Sequence, residues 1–284
     1  MKDKEPWLKS HDERININER KGREKLIEFY APCEPAIMQT VMRFLEVEKK
    51  MPLKQVHRVL DVFSSKTVVT KVMNEQEILA YIENLPEEFP IAIGPCACRL
   101  DTAEALGPDA RDLAAGRLDM FMDTPINVDV QIGTCGEKFG HLETYRMISR
   151  EELLETEKKC QNMGLVSNVY VIRDGDAGIC HCSSPTCAPF LANESIGYKS
   201  KVIMHGDSIA STDTDKCDGN GCCVKVCHFN ARQLVEVNGH SRSTLVSSWR
   251  CYGCGQCTKV CPSKAITMVA RKNRKDDRNG NSNI

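Results

Sequence analysis

Cysteine is the residue type in this chain whose number and spacing point most directly to chemistry. Of the 16 cysteines in 284 residues, eight fall within residues 217–261 and six others within residues 96–187, while Cys33 and Cys160 stand apart from these groups. Thiolates are ligands for soft metal ions and for iron–sulfur clusters. The opening residues are charged and no apolar run resembles a signal peptide. We therefore predict a cytoplasmic protein whose grouped cysteines bind metal or do redox chemistry, not disulfides.

An internal repeat organises the C-terminal group. Residues 216–237 align without a gap with residues 250–271, at an offset of 34 positions, and several cysteine, glycine, lysine and valine positions coincide. The second copy has the spacing Cys-x2-Cys-x2-Cys-x3-Cys-Pro, in which three close thiolates hold one side of a cubane cluster. Its glycines allow the backbone to curl around a cluster and direct N–H groups at the sulfurs. Zinc is the alternative, but zinc sites usually place paired Cys-x2-Cys units far apart.

The two copies together resemble the two-cluster ferredoxin domain of bacteria. In that family the last cysteine of each run binds the cluster of the other run. The resemblance therefore implies a complete 4Fe-4S site made by Cys251, Cys254, Cys257 and Cys227. It implies a second site that includes Cys217, Cys223 and Cys261. The fold implied is a small antiparallel sheet with two helices packed across it.

The second site departs from the family pattern. Asn220 occupies the position that matches Cys254, and an additional cysteine, Cys222, follows two residues later. Three outcomes are open. Cys222 completes a 4Fe-4S cluster, which is the outcome we favour; three cysteines hold a 3Fe-4S cluster; or one iron takes a ligand other than cysteine. We call this second site the irregular site.

Turn signals predict the strands of the ferredoxin-type region. Residues 234–237 run toward a turn at Asn238-Gly239, residues 243–249 return as a second strand, and residues 265–269 form the closing strand. Residues 214–270 carry seven Lys or Arg against three Asp or Glu. We attribute this excess to compensation for anionic clusters and expect no nucleic-acid partner.

The middle group has the composition of a metal site, with two Cys-x-Cys pairs and two single cysteines. Its members are Cys96, Cys98, Cys135, Cys180, Cys182 and Cys187. We predict one metal centre that takes four ligands from these six, and 4Fe-4S in preference to zinc. Ligation by His141 or His181 would favour zinc, because mixed Cys and His sets suit that ion. The alternative is that these thiols are buried small hydrophobic groups, which is our prediction for Cys160.

The elements around the middle group can also be predicted. Ser149 and Glu152 indicate a helix start, with the helix ending before Gly164. Residues 169–172 and a turn at Asp174-Gly175 predict a hairpin that delivers the second Cys-x-Cys pair.

The motifs PCACR, Phe139-Gly140, ISREEL and ICHC, in this order over residues 91–190, resemble a ferredoxin-linked 4Fe-4S binding domain of anaerobic bacteria and archaea. This chain departs from that family at Ser183 and Ser184, where the family has adjacent cysteines. The resemblance therefore leaves the number of metal sites in the middle group open.

The predicted organisation is α+β. A helical region covers residues 1–90, with helical periodicity at 35–50, 53–63 and 74–85. A Cys-rich domain follows at 91–210, then the ferredoxin-type domain at 211–270 and a polar, disordered tail at 271–284. Residues 66–70 between the helices suggest a winged-helix-like DNA-binding unit as an alternative, but a Lys/Arg-rich recognition helix is lacking.

These observations predict an iron–sulfur protein that passes single electrons at low potential to a redox partner protein, alone or as an oxidoreductase subunit. The cofactors expected are two 4Fe-4S clusters, one of them alternatively 3Fe-4S, and a third metal centre. The alternatives are an enzyme with an open-site cluster in the middle domain and a metal- or redox-responsive regulator. Rossmann, P-loop and hydrolase motifs are lacking, as is any run long enough for membrane insertion.

Overall fold

The computed structural model describes residues 69–100, 120–121, 124–171, 177–184, 186–195 and 203–271. Helices and strands occur together in these residues, which agrees with the predicted α+β class. The predicted helices at 35–50 and 53–63, Cys33, the Asp174-Gly175 turn and nearly all of the predicted tail lie outside the described residues. None of the described helices has the length and apolar character needed to cross a membrane.

A seven-stranded sheet carries the middle group of cysteines. Its strands are β1 (Val69–Met73), β2 (Ile91–Pro95), β5 (Asn127–Ile132), β6 (Arg146–Met147), β7 (Val166–Val171), β8 (Ala177–Cys182) and β9 (Ile203–Met204). The spatial order is β6-β2-β5-β8-β7-β1-β9. Neighbours are antiparallel except for β1 and β9, which are parallel. β3 (Met120–Phe121) and β4 (Thr124–Pro125) form a separate short hairpin.

Two of the helices cover one face of this sheet. The helices of this part are α1 (Glu75–Glu83), α2 (Thr134–Phe139), α3 (Arg150–Asn162) and α4 (Ala188–Ser195). α1 and α3 pack together over the apolar side chains of Val130 and Ile132. Because successive residues of a strand point to opposite faces, Asp129 and Gln131 lie on the other face of β5. This second face is the one that carries the cysteines of β8.

The predicted helix starts at Asn74 and Ser149 are confirmed. The Asn74 Oδ1 atom accepts a hydrogen bond from the Glu77 N–H at 3.1 Å, and a Glu77 carboxylate oxygen accepts one from the Asn74 N–H at 3.1 Å. The Ser149 Oγ atom accepts from the Glu152 N–H at 3.2 Å. Gly164, two residues beyond the end of α3, has a φ of 84°, a conformation that stops a helix.

The predicted boundary at residue 90 does not coincide with a break in the structure. β1 and α1 precede this boundary, yet β1 pairs with β7 along its whole length and also with β9. Residues 69–90 therefore belong to the same sheet as the Cys-rich residues. Strand pairing with residues a hundred positions away has no local signal, which is why β1 falls within the region predicted to be helical.

The ferredoxin-type part consists of short strands and single-turn helices. Its elements are β10 (Ser208–Thr212), α5 (Cys222–Lys225), β11 (Arg232–Val237), β12 (His240–Leu245), a 3₁₀ turn (Ser248–Arg250), α6 (Gln256–Lys259) and β13 (Ile266–Ala270). β10 pairs with β13 and β11 with β12, both antiparallel. The predicted turn at Asn238-Gly239 and the closing strand are confirmed. The returning strand was predicted at 243–249 but lies at His240–Leu245, because the two-residue turn lets pairing begin at once between Val237 and His240, and residues 248–250 form the 3₁₀ turn instead. β10 is an additional strand that begins before the predicted domain start at 211.

The repeat of the sequence is also a repeat of backbone conformation. Gly221 and Gly255 have φ values of 76° and 77°, and Asn230 and Lys264 have φ values of 47° and 50°. Glycine is also required by close packing at Gly253, where a Cβ atom would lie 2.3 Å from a backbone oxygen of β10. The two copies therefore present their cysteines on equivalent frameworks.

Candidate metal centres

Four cysteines of the ferredoxin-type part line one cavity. They are Cys227, Cys251, Cys254 and Cys257. About 340 Å³ of this space holds no protein atoms, including a part that is open to solvent. Cys227 belongs to the first copy of the repeat and the other three belong to the second. The structure thus brings together the thiols that the ferredoxin pattern assigned to a single cluster, and we call this group the complete site.

The surroundings of the complete site favour bound thiolates over free thiols. Burial raises the pKa of Cys254 well above its ordinary value and that of Cys257 to about 12. Burial also raises the pKa of Cys227. The Ala231 N–H nevertheless donates to the Cys227 sulfur at 3.2 Å, and an Arg232 nitrogen lies 4.0 Å from the Cys257 sulfur. A backbone donor and a buried cation therefore surround these sulfurs, and metal binding would remove the protons that burial retains.

The spacing of the four thiols suits a cluster. In a 4Fe-4S cluster four thiolates are distributed over four irons, whereas a zinc ion needs all of its ligands around one point. Throughout the described ranges, no group of three or more His, Cys, Asp or Glu side chains has the geometry to hold a metal ion. The donor set around the cavity therefore fits a 4Fe-4S cluster better than zinc.

The irregular site is held together by Ser243. The Cys223 thiol donates to the Ser243 hydroxyl at 3.0 Å, and the Ser243 N–H donates to the Cys217 sulfur at 3.4 Å. The Ala265 N–H donates to the Cys261 sulfur at 3.3 Å, which repeats the contact of Ala231 with Cys227. The structure thus places Cys217 and Cys223 beside Ser243. The backbone donor to Cys261 occupies the position in its copy of the repeat that Ala231 occupies beside Cys227.

Cys222 is exposed, whereas the neighbouring Cys223 is buried. The Asn220 Oδ1 atom accepts a hydrogen bond from the Cys222 N–H at 2.8 Å, and the Asn220 side-chain amide donates to an Asp218 carboxylate oxygen at 2.6 Å. These local bonds hold the loop with the Cys222 thiol at the surface. Completion of the irregular site by Cys222 therefore stays a prediction, and it requires this loop to rearrange.

Five of the six middle cysteines contact one another through their thiols. They are Cys96, Cys98, Cys180, Cys182 and Cys187, which we call the middle thiol cluster. Hydrogen bonds connect them in the order 96, 98, 187, 182, 180. Alternation along β8 puts its two cysteines on the same face. The first pair begins directly after β2, and Cys187 directly precedes α4.

Cys135 is not part of this cluster. It follows the end of β5 at Ile132, which pairs with Ile91 at the beginning of β2. Cys96 follows the opposite end of β2, so the strand length, about 13 Å at 3.3 Å per residue, separates the two positions. His141 is exposed and lies two residues beyond α2. The strand length therefore keeps Cys135 away from the other thiols.

The thiols of the cluster differ in their acidity. Hydrogen bonds donated by neighbouring thiols hold the pKa of Cys98 and of Cys182 well below its ordinary value. Burial raises the pKa of Cys187 well above its ordinary value, and the thiol contact with Cys182 does the same for Cys180. Each of the two cysteines with a lowered pKa thus contacts two other thiols of the cluster.

Arg99 supplies a buried positive charge beside these sulfurs. Its charge lowers the pKa of Cys98 and of Cys182. The residue is 1% exposed and its Nη2 atom donates to the His181 carbonyl oxygen at 2.5 Å. Its Nε and Nη1 atoms find no hydrogen-bond partner in the described residues. A buried guanidinium is costly without an anion, so Arg99 argues for an anionic metal site over a core of neutral thiols.

His181 lies between two cluster cysteines in sequence but faces α3. Its Nδ1 atom is 2.7 Å from the Val128 carbonyl oxygen, and its Nε2 atom is 2.8 Å from a Glu157 carboxylate oxygen. Burial opposes a charge on either group, yet the attraction between them raises the pKa of His181 and lowers that of Glu157. Both ring nitrogens are occupied, so the structure does not position His181 as a zinc ligand.

Sequence reasoning missed Asp129 on the cysteine-bearing face. The Cys180 thiol donates to one Asp129 oxygen at 3.5 Å, and the Tyr145 hydroxyl donates to the other at 2.7 Å. Burial raises the pKa of this carboxyl. A signal was present, because a charged residue in the apolar strand NVDVQI needs a buried partner.

Comparison with known families identifies the C-terminal part. Residues 216–265 match the model of the 4Fe-4S dicluster domain. The C-terminal part is therefore a ferredoxin-type iron–sulfur domain, and the predicted 4Fe-4S chemistry of this part is supported.

The curated relatives share only a limited segment with this chain. Translation initiation factor RLI1 of Chaetomium thermophilum is 36% identical over 66 residues, which is 22% of this chain and 11% of that protein. ABC transporter E family member 1 of Arabidopsis thaliana is 35% identical over 66 residues, again 22% and 11%. Protein Pixie of Drosophila melanogaster is 30% identical over 82 residues, or 27% and 12%. The chain thus covers 11–12% of the length of these three relatives.

The first prediction concerns the buried pair of His181 and Glu157. Glu157→Gln keeps the shape of the side chain but leaves a buried imidazolium without its counter-charge, so we expect a loss of about 3 kcal/mol in the free energy of unfolding. Chemical denaturation under reducing conditions measures it. Glu155→Gln, an exposed position on the same helix, is the control. Equal, small effects of both substitutions would contradict the proposed charge state.

Proposed function

We propose that this protein transfers single electrons at low potential through iron–sulfur clusters and exchanges them with redox partner proteins. The observation that carries the proposal is the convergence of four thiols from both copies of the repeat on one cavity. A 4Fe-4S cluster supplies reversible one-electron chemistry when it is bound there. The protein would act alone or as a subunit of an oxidoreductase, and its cytoplasmic location stays a prediction.

The chain's own residues would set the potentials of these clusters. N–H donors aimed at the Cys227 and Cys261 sulfurs stabilise negative charge. Arg232 lies between the two sites, because its Nη1 atom approaches the Cys257 sulfur while its Nε atom donates to Ser243 at 3.2 Å. A cation in this position favours the reduced state of both clusters, and burial of the sulfurs opposes that effect.

A third metal centre in the middle thiol cluster is part of the proposal. Five contacting thiols support it, as do two nitrogens of Arg99 that have no hydrogen-bond partner among the described residues. We propose 4Fe-4S over zinc, since both ring nitrogens of His181 contact other groups and His141 is exposed. A cubane takes four cysteines, so five thiols supply enough ligands without an open iron. The electron-transfer role is therefore favoured over an enzyme with an open site in this domain.

The proposal is tested by anaerobic purification, followed by iron and acid-labile sulfide determination and EPR of the reduced protein. Cys254→Ser should remove one thiolate from the complete site and abolish or alter one reduced-cluster signal, with iron content falling by up to about four atoms. Cys135→Ala, which removes a buried thiol at the opposite end of β2 from the middle thiol cluster, should leave both readouts unchanged. Wild-type protein that purifies without iron and sulfide would refute the function.

The third centre predicts a different pair of results. Cys182→Ser should cost iron equivalent to one centre while the ferredoxin-type signals persist, because Cys182 contacts two other thiols of the cluster. Cys135→Ala should cost none, because Cys135 lies at the other end of the sheet. If both variants fold and keep full iron content, the middle thiols are core residues and the third centre does not exist.

The irregular site has its own test. We propose that the Cys222 loop rearranges so that Cys222 completes a 4Fe-4S cluster. Cys222→Ser should then produce the 3Fe-4S signal in EPR of the oxidised protein, and the signal of the complete site serves as the internal control. A wild type that already shows the 3Fe-4S signal, unchanged by the substitution, would make Cys222 a bystander.

A further inference from the structure

The two copies of the repeat differ in burial at the residues that flank their cysteines. Each of three positions beside the complete site is wholly or partly buried, while its counterpart in the other copy is exposed. The pairs are Tyr252 and Asp218, Gln256 and Cys222, and His228 and Pro262. The backbones of the copies are equivalent, so this difference comes from what each copy packs against. The complete site faces the sheet domain and the irregular site faces outward.

Gln256 connects the loop of the complete site to the sheet domain. It lies between Cys254 and Cys257, and its side-chain amide donates to the Gln161 Oε1 atom at 2.9 Å and to the Leu165 carbonyl oxygen at 2.6 Å. Its backbone N–H is a donor to the Cys254 sulfur. One residue therefore contacts both a thiol of the complete site and the end of α3.

Gln161 continues this contact to the middle thiol cluster. Its amide donates to the Ser167 hydroxyl at 2.6 Å, and that hydroxyl donates to Glu157, which pairs with His181. Each member of this chain from Gln256 to His181 is at most 2% exposed. A continuous buried hydrogen-bonded path thus runs from the complete site to the residue between Cys180 and Cys182.

His228 makes a second connection. It follows Cys227 directly, its Nδ1 atom accepts from the Ser184 N–H at 3.1 Å, and its Nε2 atom lies 2.8 Å from the Gly164 carbonyl oxygen. These partners define a neutral ring with the proton on Nε2. Ser184 is two residues from Cys182. The His228 side chain therefore links Cys227 of the complete site to Ser184, which lies two residues after Cys182 of the middle thiol cluster.

Aromatic side chains also pack between the two domains, beside the hydrogen bonds of Gln256 and His228. Phe190 of α4 lies 4.9 Å from Phe229, and Phe229 stacks on Tyr252 at 4.5 Å between ring centroids. The Tyr252 hydroxyl is bonded to Asn193 of α4, whose amide donates at 3.0 Å. Cys187 directly precedes α4. The helix that packs on the complete site therefore begins next to a thiol of the middle thiol cluster.

We infer that the complete site is the direct electron partner of the middle thiol cluster, that Gln256 and His228 form the junction, and that the irregular site is the solvent-side end of a three-centre series. The inference rests on the proposed function. An external one-electron donor protein reduces the irregular site, the electron passes to the complete site, and the complete site is reoxidised as it reduces the middle centre. Bonded and hydrogen-bonded contacts carry electrons faster than gaps, which favours this order.

The order is tested by removing either ferredoxin-type site and observing the third. In fully reduced wild-type protein, we expect spin–spin broadening of the EPR signal of the middle centre by the nearest reduced cluster. Cys254→Ser should reduce this broadening, whereas Cys217→Ser, which affects the irregular site, should leave it unchanged. The opposite result would overturn the order. Iron and sulfide contents are measured on the same samples, so a wild type without a third centre would refute the proposed centre and this inference together.

The junction is tested by the rate of internal electron transfer. His228→Phe keeps a ring but loses both hydrogen bonds, and Gln256→Leu loses the amide contacts. We expect reduction of the middle centre, followed by rapid-freeze EPR after mixing with dithionite, to be slower in each variant than in the wild type. Iron content and the potentials of the centres should stay unchanged. Pro262→Ala, the exposed counterpart of His228, is the control. Rates equal to wild type in both junction variants would overturn the assignment.

Discussion

The structure depends on keeping sulfur anions away from water while matching their charge. Thiolates in a buried site need nearby cations and donors, or the thiols stay protonated. The middle thiol cluster has Arg99, and the ferredoxin-type sites have Arg232 together with N–H groups from the repeat. A buried cation without an anion would be as costly as the reverse. Each of these cations is therefore best accommodated beside an anion, and thiolates are the anions that its neighbours can supply.

The two faces of the sheet carry different groups, thiols on one and a buried ion pair on the other. Alternation along β8 sends Cys180 and Cys182 to one face and His181 to the other, where α3 offers Glu157. The side chains that carry thiolates and those that form the buried ion pair are thus neighbours in sequence but separated by the backbone. This arrangement keeps the imidazole away from the middle thiol cluster while placing it one residue from two sulfurs. It also explains why the helix carries a carboxylate on its buried face.

Local signals made part of this structure predictable. The cysteine spacing and the repeat indicated the four thiols of the complete site, and side-chain caps located the starts of α1 and α3. Other features have no local signal. The pairing of β1 with β7, the separation of Cys135 from the other middle thiols, and the partners of Arg99 depend on contacts between distant residues. Asp129 and Glu157 were detectable only as polar residues in apolar patterns, which show that a partner exists but not which one.

The departure of the repeat from symmetry has a physical explanation in this setting. In an isolated two-cluster domain both cysteine runs meet the same solvent, so nothing distinguishes their flanking residues. Here one run packs on α3 and α4 and needs buried donors and rings, which Gln256 and Tyr252 supply. The other run keeps polar residues such as Asp218 and Asn220, whose bonds are to their own loop. Asn220 replaces a cysteine in the exposed loop of this run, residues 218–222, so the change in ligand set falls on a loop that the sheet domain does not cover. The run with all four cysteines of its motif is the one that packs against the sheet domain.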